Sequence, residues 1–126
     1  MPPTKPTESE LEILQLLWEH GPVSVRFVHE IIAQQKEVGY TTTLKLMQIM
    51  AEKGLVTRDT SSRTHIYQAA VNEETTQKNL LEKFVDSTFR GSAMKLVMQA
   101  LGNNKASKEE LDQIKDLIQK IENEEE

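Results

Sequence analysis

Cysteine is absent from this chain, which excludes disulfides and thiolate metal sites. Aromatic residues make up only 5% of the 126 residues, so any core must rest on Leu, Ile, Val and Met. No apolar run approaches the roughly 18 residues that a bilayer-spanning helix needs, so no membrane insertion is expected. The segment Met1 to Thr7 holds three prolines and no apolar stretch, which is not the pattern of a secretory signal. A Gly-rich phosphate loop is missing. His20, His29 and His65 stand alone, without the i, i+4 spacing that seats a metal. The expectation is therefore no catalytic set, no metal, no cofactor and no enzyme activity. These absences fit a cytoplasmic protein.

What is present is helical periodicity, broken once by a short β pattern. Residues 1–7 read as a flexible arm. Thr7-Glu8-Ser9-Glu10 has capping-box spacing. Leu11, Ile13, Leu14, Leu17 and Trp18 then form one apolar face, with Trp18 expected in the core, and His20-Gly21-Pro22 stops that helix. Ser24 is placed to cap a second helix carrying Val25, Phe27, Val28, Ile31 and Ile32, which fades at Gln34-Gln35-Lys36. Gly39 breaks the chain before a third helix beginning near Thr41.

The stretch from Tyr40 to Tyr67 carries the functional signal. Leu44, Leu46, Met47 and Met50 recur at helical spacing, and the pattern ends at Lys53-Gly54. Leu55-Val56 and His65-Ile66-Tyr67 then flank the polar turn Asp59 to Ser62, which is a hairpin signal. Three helices followed by a two-stranded wing is the order of a winged helix-turn-helix domain, here over residues 8–70. Thr41, Thr42, Thr43, Lys45 and Gln48 are expected on the outward side of the third helix. Hydroxyls and free amides at a helix start bind phosphate, and Thr, Lys and Gln also reach base edges in the major groove. Arg58 and Arg63 flank the hairpin turn, where they can straddle a phosphate backbone or enter the minor groove. The competing account is a capped surface helix and two solvated hairpin charges, one of them paired with Asp59. Leu44 and Ile49 are also expected partly outward, either against thymine methyls or on a neighbouring helix.

Charge gives mild support. The chain is net −5, but residues 71–126 carry −4 of it and residues 1–70 only −1. Within 36–63, Lys36, Lys45, Lys53, Arg58 and Arg63 outnumber Glu37, Glu52 and Asp59, for a net of +2. A local basic face counts for more than the whole-chain sum in phosphate contact.

Val71 to Glu74 reads as a junction, and residues 71–126 as three further helices. Leu80, Leu81, Phe84, Val85 and Phe89 form one stripe, interrupted by Gly91. Met94, Leu96, Val97, Met98 and Leu101 form a short segment apolar almost all round, ended by Gly102-Asn103-Asn104. Ser107-Lys108-Glu109-Glu110 repeats the capping-box spacing and opens a helix with Leu111, Ile114, Leu117, Ile118 and Ile121 on one side. The tail from Asn123 is acidic and expected to fray. A segment apolar on every side must be buried. A second copy of the chain can bury it in a two-fold dimer, and folding back on residues 8–70 is the alternative. In the dimer, Leu81, Phe84, Val97, Leu101, Leu111, Ile114, Leu117, Ile118 and Ile121 line the interface.

In order and spacing, several stretches resemble the penicillinase-repressor family (BlaI/MecI/CopY type). They are Leu11 to Trp18, Val23-Ser24-Val25, Tyr40-Thr41-Thr42, Glu52 to Val56, the wing ending in Tyr67, Phe89-Arg90-Gly91, Met94 to Val97 and the Ser107–Ile118 helix. The resemblance implies a homodimeric transcriptional repressor whose N-terminal domains sit in the major grooves of a palindromic double-stranded operator. It also implies release, in the β-lactam branch, when a membrane sensor-protease triggers cleavage in the segment corresponding to Met98-Gln99-Ala100-Leu101. Staphylococcal members carry Asn-Phe there, and this chain has Gln99-Ala100 as the candidate cleavage region. The basic residue common in the recognition helix of the β-lactam repressors corresponds to Leu44. The cysteine cluster of the copper branch has no counterpart, which excludes a copper-thiolate switch. The expected fold class is mainly α with a small β-wing, a winged helix-turn-helix domain followed by a helical dimerisation module. A winged-helix protein-interaction adaptor that binds no DNA is the rival from another class.

Overall fold

The computed structural model describes residues 5–103 and 105–124. Among them are six helices and three strands, in the order α1 (Glu8–His20), β1 (Val23–Ser24), α2 (Val25–Ala33), α3 (Tyr40–Glu52), β2 (Val56–Asp59), β3 (Ile66–Ala69), α4 (Glu73–Phe89), α5 (Ala93–Asn103) and α6 (Lys108–Glu124). The chain divides into two compact units, the first ending at Leu81 and the second beginning at Glu82.

α1 starts where the capping box predicts. The Glu10 amide donates to Thr7 Oγ1 at 3.2 Å, and the Thr7 amide donates to Glu10 Oε1 at 2.9 Å. It ends at Gly21, whose φ of 79° lies in the left-handed region that a side chain disfavours. α2 is capped by Ser24 Oγ, which accepts from the Phe27 amide at 3.2 Å. The core of this unit takes Ile13, Leu14 and Leu17 from α1, Val25, Val28 and Ile32 from α2, and Met47 and Met50 from α3. Leu55, Val56 and Tyr67 close it from the sheet side. Trp18 lies at the edge of that core, half-buried, and its Nε1 donates to the Val71 carbonyl at 3.0 Å.

The wing has one strand more than the sequence predicts. β3 is central, with β2 on one side and β1 on the other, all antiparallel. Val23 pairs with Tyr67 and Ser24 with Ile66. A two-residue strand has no period to read, which is why β1 leaves no mark in the sequence. β2 runs on through Asp59, and Asp59 pairs with Ile66, so the turn is the longer connection 60–65. His65 lies in that turn and not on the returning strand.

α4 begins at Glu73, within the expected junction, and the Thr75 amide donates to Asn72 Oδ1 at 3.0 Å. In the second unit, Ser107 and Glu110 form the second capping box, with bonds of 3.0 and 3.1 Å. The helix they open continues through Glu124, so Asn123 and Glu124 are helical and not frayed. The expected stop at Gly102-Asn103-Asn104 falls partly inside α5, which runs through Asn103. Met1 to Thr4 of the arm, Asn104, and the last two residues of the tail lie outside the described residues. No residue of α5 or α6 among those described is buried.

Candidate nucleic-acid interface

α3 is held from behind and open in front. Thr43, Met47 and Met50 face inward, while Thr41, Thr42, Lys45, Gln48, Ile49 and Glu52 are exposed at positions that recur along one side of the helix. Four of the five polar residues expected on that side are therefore there. Thr43 is not. It is 2% exposed, and its Oγ1 shares a 3.1 Å hydrogen bond with Nδ1 of His29 on α2. The reason is helical phase: Thr43 stands four residues before Met47 and seven before Met50, on the core stripe. Leu44 is half-buried and packs on the core, while Ile49 is 37% exposed.

The start of α3 has no side-chain cap. Gly39 is the N-cap residue, and its carbonyl accepts from the Thr42 and Thr43 amides at 3.1 and 3.2 Å. Tyr40 opens the helix. His29 meets its ring edge-on, with centroids 5.6 Å apart, and the Arg26 guanidinium lies 5.6 Å from the ring centroid. Neither Arg26 nor Tyr40 is marked by periodicity. Tyr40 stands at the head of the stretch that carries the functional signal, whereas Arg26 is in sequence a lone cation just inside the N-terminus of α2.

The wing adds two cations. Arg58 is exposed on β2 and Arg63 is exposed in the turn. Asp59 pairs with neither: its Oδ1 accepts from the Ser61 amide at 2.9 Å. Hydrogen bonds from Ser61, with the nearby His65 adding a smaller effect, hold the Asp59 carboxyl below its ordinary range. Gln48, Ala51 and Glu52 of α3 line one open groove with Val56, Thr57 and Arg58 of the wing, about 590 Å³ in volume. Two of the expected contact residues, Gln48 and Arg58, are thus brought together. Lys45 sits on the same side of α3 as Gln48, one turn nearer its start.

Charge sorting on this unit is visible in the ion pairs. Lys53 Nζ donates to Glu10 Oε1 at 2.6 Å, and Lys36 Nζ to Glu12 Oε2 at 3.0 Å. Two of the three lysines of the basic window are therefore paired with glutamates of α1. Burial works to raise the Glu10 carboxyl, but the hydrogen bonds from Lys53 and Thr7 and the Lys53 charge outweigh it and hold it below its ordinary value. Among the described residues, Arg26, Lys45, Arg58 and Arg63 form no ion pair. Nor does any group of three or more His, Asp or Glu side chains there suit a metal ion.

The residues expected to line a dimer are mostly exposed, from Leu81 at the end of the first unit and Phe84 in the second, both on α4, to Ile121 on α6. Ile114 is half-buried. Gln99 and Ala100 are exposed and lie within α5. Among the described residues, no helix is long and apolar enough to cross a membrane.

A family model described as Penicillinase repressor matches residues 6–120. The chain is similar to the penicillinase repressor of Bacillus licheniformis, 18% identical over 117 residues that span 93% of this chain and 91% of that protein. It is also similar to the transcriptional regulator BlaI of Mycobacterium tuberculosis, 27% identical over 108 residues, 82% of this chain and 78% of the relative. Among solved structures, the DNA-binding domain of the repressor BlaI matches over 55% of this chain and 84% of that domain, at a TM-score of 0.50 and 17% identity. That likeness is one of fold, and it bears out the expected class of a mainly α chain with a β-wing.

Proposed function

The chain belongs to the penicillinase repressor family, and from that premise we propose that it represses transcription as a homodimer on a palindromic operator. The family is one of transcriptional regulators, not of enzymes. The observation that carries the DNA reading is the side of α3 bearing Thr41, Thr42, Lys45 and Gln48, with Gln48 sharing a groove with Arg58 of the wing. Thr41 and Thr42 suit phosphate at the helix start, and Lys45 and Gln48 suit base edges or phosphate. Arg58 and Arg63 suit the backbone beside the groove. Thr43 has no part in this surface, because it is buried.

Dimerism is supported by the second unit. Met94 is 68% exposed, Leu117 57%, and no described residue of α5 or α6 is buried. Apolar helices in that state call for a partner surface. A second copy supplies it with two-fold symmetry, and the paired reading heads then match half-sites about one helical turn of DNA apart. A protein working on DNA in this way acts in the cytoplasm. For release, we infer cleavage in the Gln99-Ala100 region triggered by a membrane sensor-protease. That bond lies inside α5, so α5 must unwind locally before a protease can take it. Co-expression with such a sensor and mass analysis of the fragments tests this step, and an intact chain after induction refutes it.

The DNA reading is tested with Lys45→Ala combined with Arg63→Ala. Each phosphate that a cationic side chain neutralises adds about 0.9 to the slope of log affinity against log salt. The double variant is therefore expected to show a slope shallower by about 1.8 per bound protomer, with weaker binding at every salt concentration. An unchanged affinity and slope refutes the assignment of these residues. Failure of the unmutated chain to bind random duplex at low salt favours the protein-interaction adaptor.

A further inference from the structure

We propose that Arg26 is a phosphate clamp seated on Tyr40, so that the DNA-contacting surface begins on α2 and not at α3. The proposal rests on the DNA reading above and adds to it a residue and a mode of positioning. Arg26 is exposed on α2, with Glu30 four residues ahead of it on the same helix. Such a spacing ordinarily invites an ion pair. No such pair forms, and the guanidinium lies instead over the Tyr40 ring. The choice has a chemical consequence. A carboxylate partner would neutralise the charge and occupy the N–H donors. An aromatic ring attracts the cation through its π face and takes none of those donors. Arg26 is thus held in place while its charge and its donor fork stay available for a diester oxygen.

The ring beneath it is itself fixed. His29 packs edge-on against Tyr40, and the buried Thr43 hydroxyl bonds to His29 Nδ1. Thr43, His29, Tyr40 and Arg26 form a stack that runs from the core to the surface between α2 and α3. Tyr40 is 41% exposed and directly precedes Thr41 and Thr42, so the stack delivers the guanidinium to the end of α3 where phosphate is expected. The ligand is the sugar–phosphate backbone, not a base, so the contribution is independent of sequence.

The test uses the full chain and two random-sequence duplexes, one A·T-rich and one G·C-rich, titrated across salt. Arg26→Gln is expected to lower the salt slope by about 0.9 per bound protomer and to weaken both duplexes equally. Tyr40→Phe keeps the ring and is expected to behave as the unmutated chain. Tyr40→Leu is expected to weaken binding as much as Arg26→Gln, with no further weakening in the double variant, because Tyr40 acts through Arg26. Circular dichroism checks that the variants fold, and Arg26→Gln with Tyr40→Phe carries the test should Tyr40→Leu unfold. An unchanged slope in Arg26→Gln, alongside a lowered slope in Lys45→Ala, overturns the clamp and leaves the DNA reading standing. Weakening confined to one duplex overturns the phosphate role. Absence of duplex binding by the unmutated chain overturns both.

Discussion

Replacing Lys53 by methionine is expected to destabilise the first unit severely, although Lys53 looks like an ordinary charged residue at a helix end. Its ammonium donates to Glu10 at 2.6 Å, and the Glu10 side chain is 2% exposed while that of Lys53 is 25% exposed. An exposed pair is worth about 0–1 kcal/mol. Removing one member of a buried pair costs about 3–5 kcal/mol, because the other charge is left without compensation. Glu10 would keep the Thr7 amide, and Lys53 is not fully enclosed, so about 3 kcal/mol is the expected destabilisation. With a urea slope of about 1.5 kcal/mol per molar, the unfolding midpoint falls by about 2 M. Trp18, the single tryptophan, reports on this unit through fluorescence, since it sits at the core edge. A destabilisation below about 0.5 kcal/mol would show that the pair behaves as a solvated surface contact and not as a buried one.

The pH dependence follows from the same pair. The folded Glu10 carboxyl titrates below its ordinary value of 4.5. Between the two values the unfolded chain binds more protons than the folded one, so stability rises with pH across that window. The contribution is complete above about 4.5 and is lost as pH falls through the folded value. Glu10→Gln lacks it, so the stability curves of that variant and of the unmutated chain should converge as the solution is acidified through that range.

Two further predictions separate structure from function. Thr43→Val should lower stability by about 1 kcal/mol by removing the partner of His29, and leave the salt slope of DNA binding unchanged. A lowered slope would mean that the bond from Thr43 to His29 is needed to hold Tyr40 under Arg26, since Thr43 itself is buried. Leu117→Glu with Ile121→Glu should halve the sedimenting mass and weaken binding to a palindromic duplex, since each half-site is then bound alone. A monomer in the unmutated chain at micromolar concentration refutes the two-fold arrangement.

Features set by neighbours in sequence are legible without the structure. Both capping boxes, Thr7 with Glu10 and Ser107 with Glu110, form as their spacing predicts. The glycine stops at Gly21 and Gly54 also hold, each with positive φ. Thr43 is legible too, once the helix phase is taken from Met47 and Met50 and not from its polarity. What cannot be read depends on contacts between distant residues. Lys53 finds Glu10 on a different helix, Arg26 finds Tyr40, and β1 exists only because β3 lies beside it. Local composition carries no trace of such pairings.

Those distant pairings change how the acidic balance of the chain bears on DNA. The net of +2 across residues 36–63 counts Lys36 and Lys53 as available, yet Glu12 and Glu10 hold both. The same window omits Arg26, which no carboxylate holds among the described residues. Between residues 26 and 63, the cations left without an ion pair are therefore Arg26, Lys45, Arg58 and Arg63, opposed by Glu52 inside the groove and by the exposed Glu30, Glu37 and Asp59. At about 0.1 M salt a charge is felt over about 10 Å, so what a phosphate meets is this local set, not the chain total of −5. Glu10 and Glu12 of α1, each paired with a lysine, thus do not argue against DNA binding. With Lys36 and Lys53 bound to α1, the cations of that stretch that remain without an ion pair stand on α2, the front of α3 and the wing.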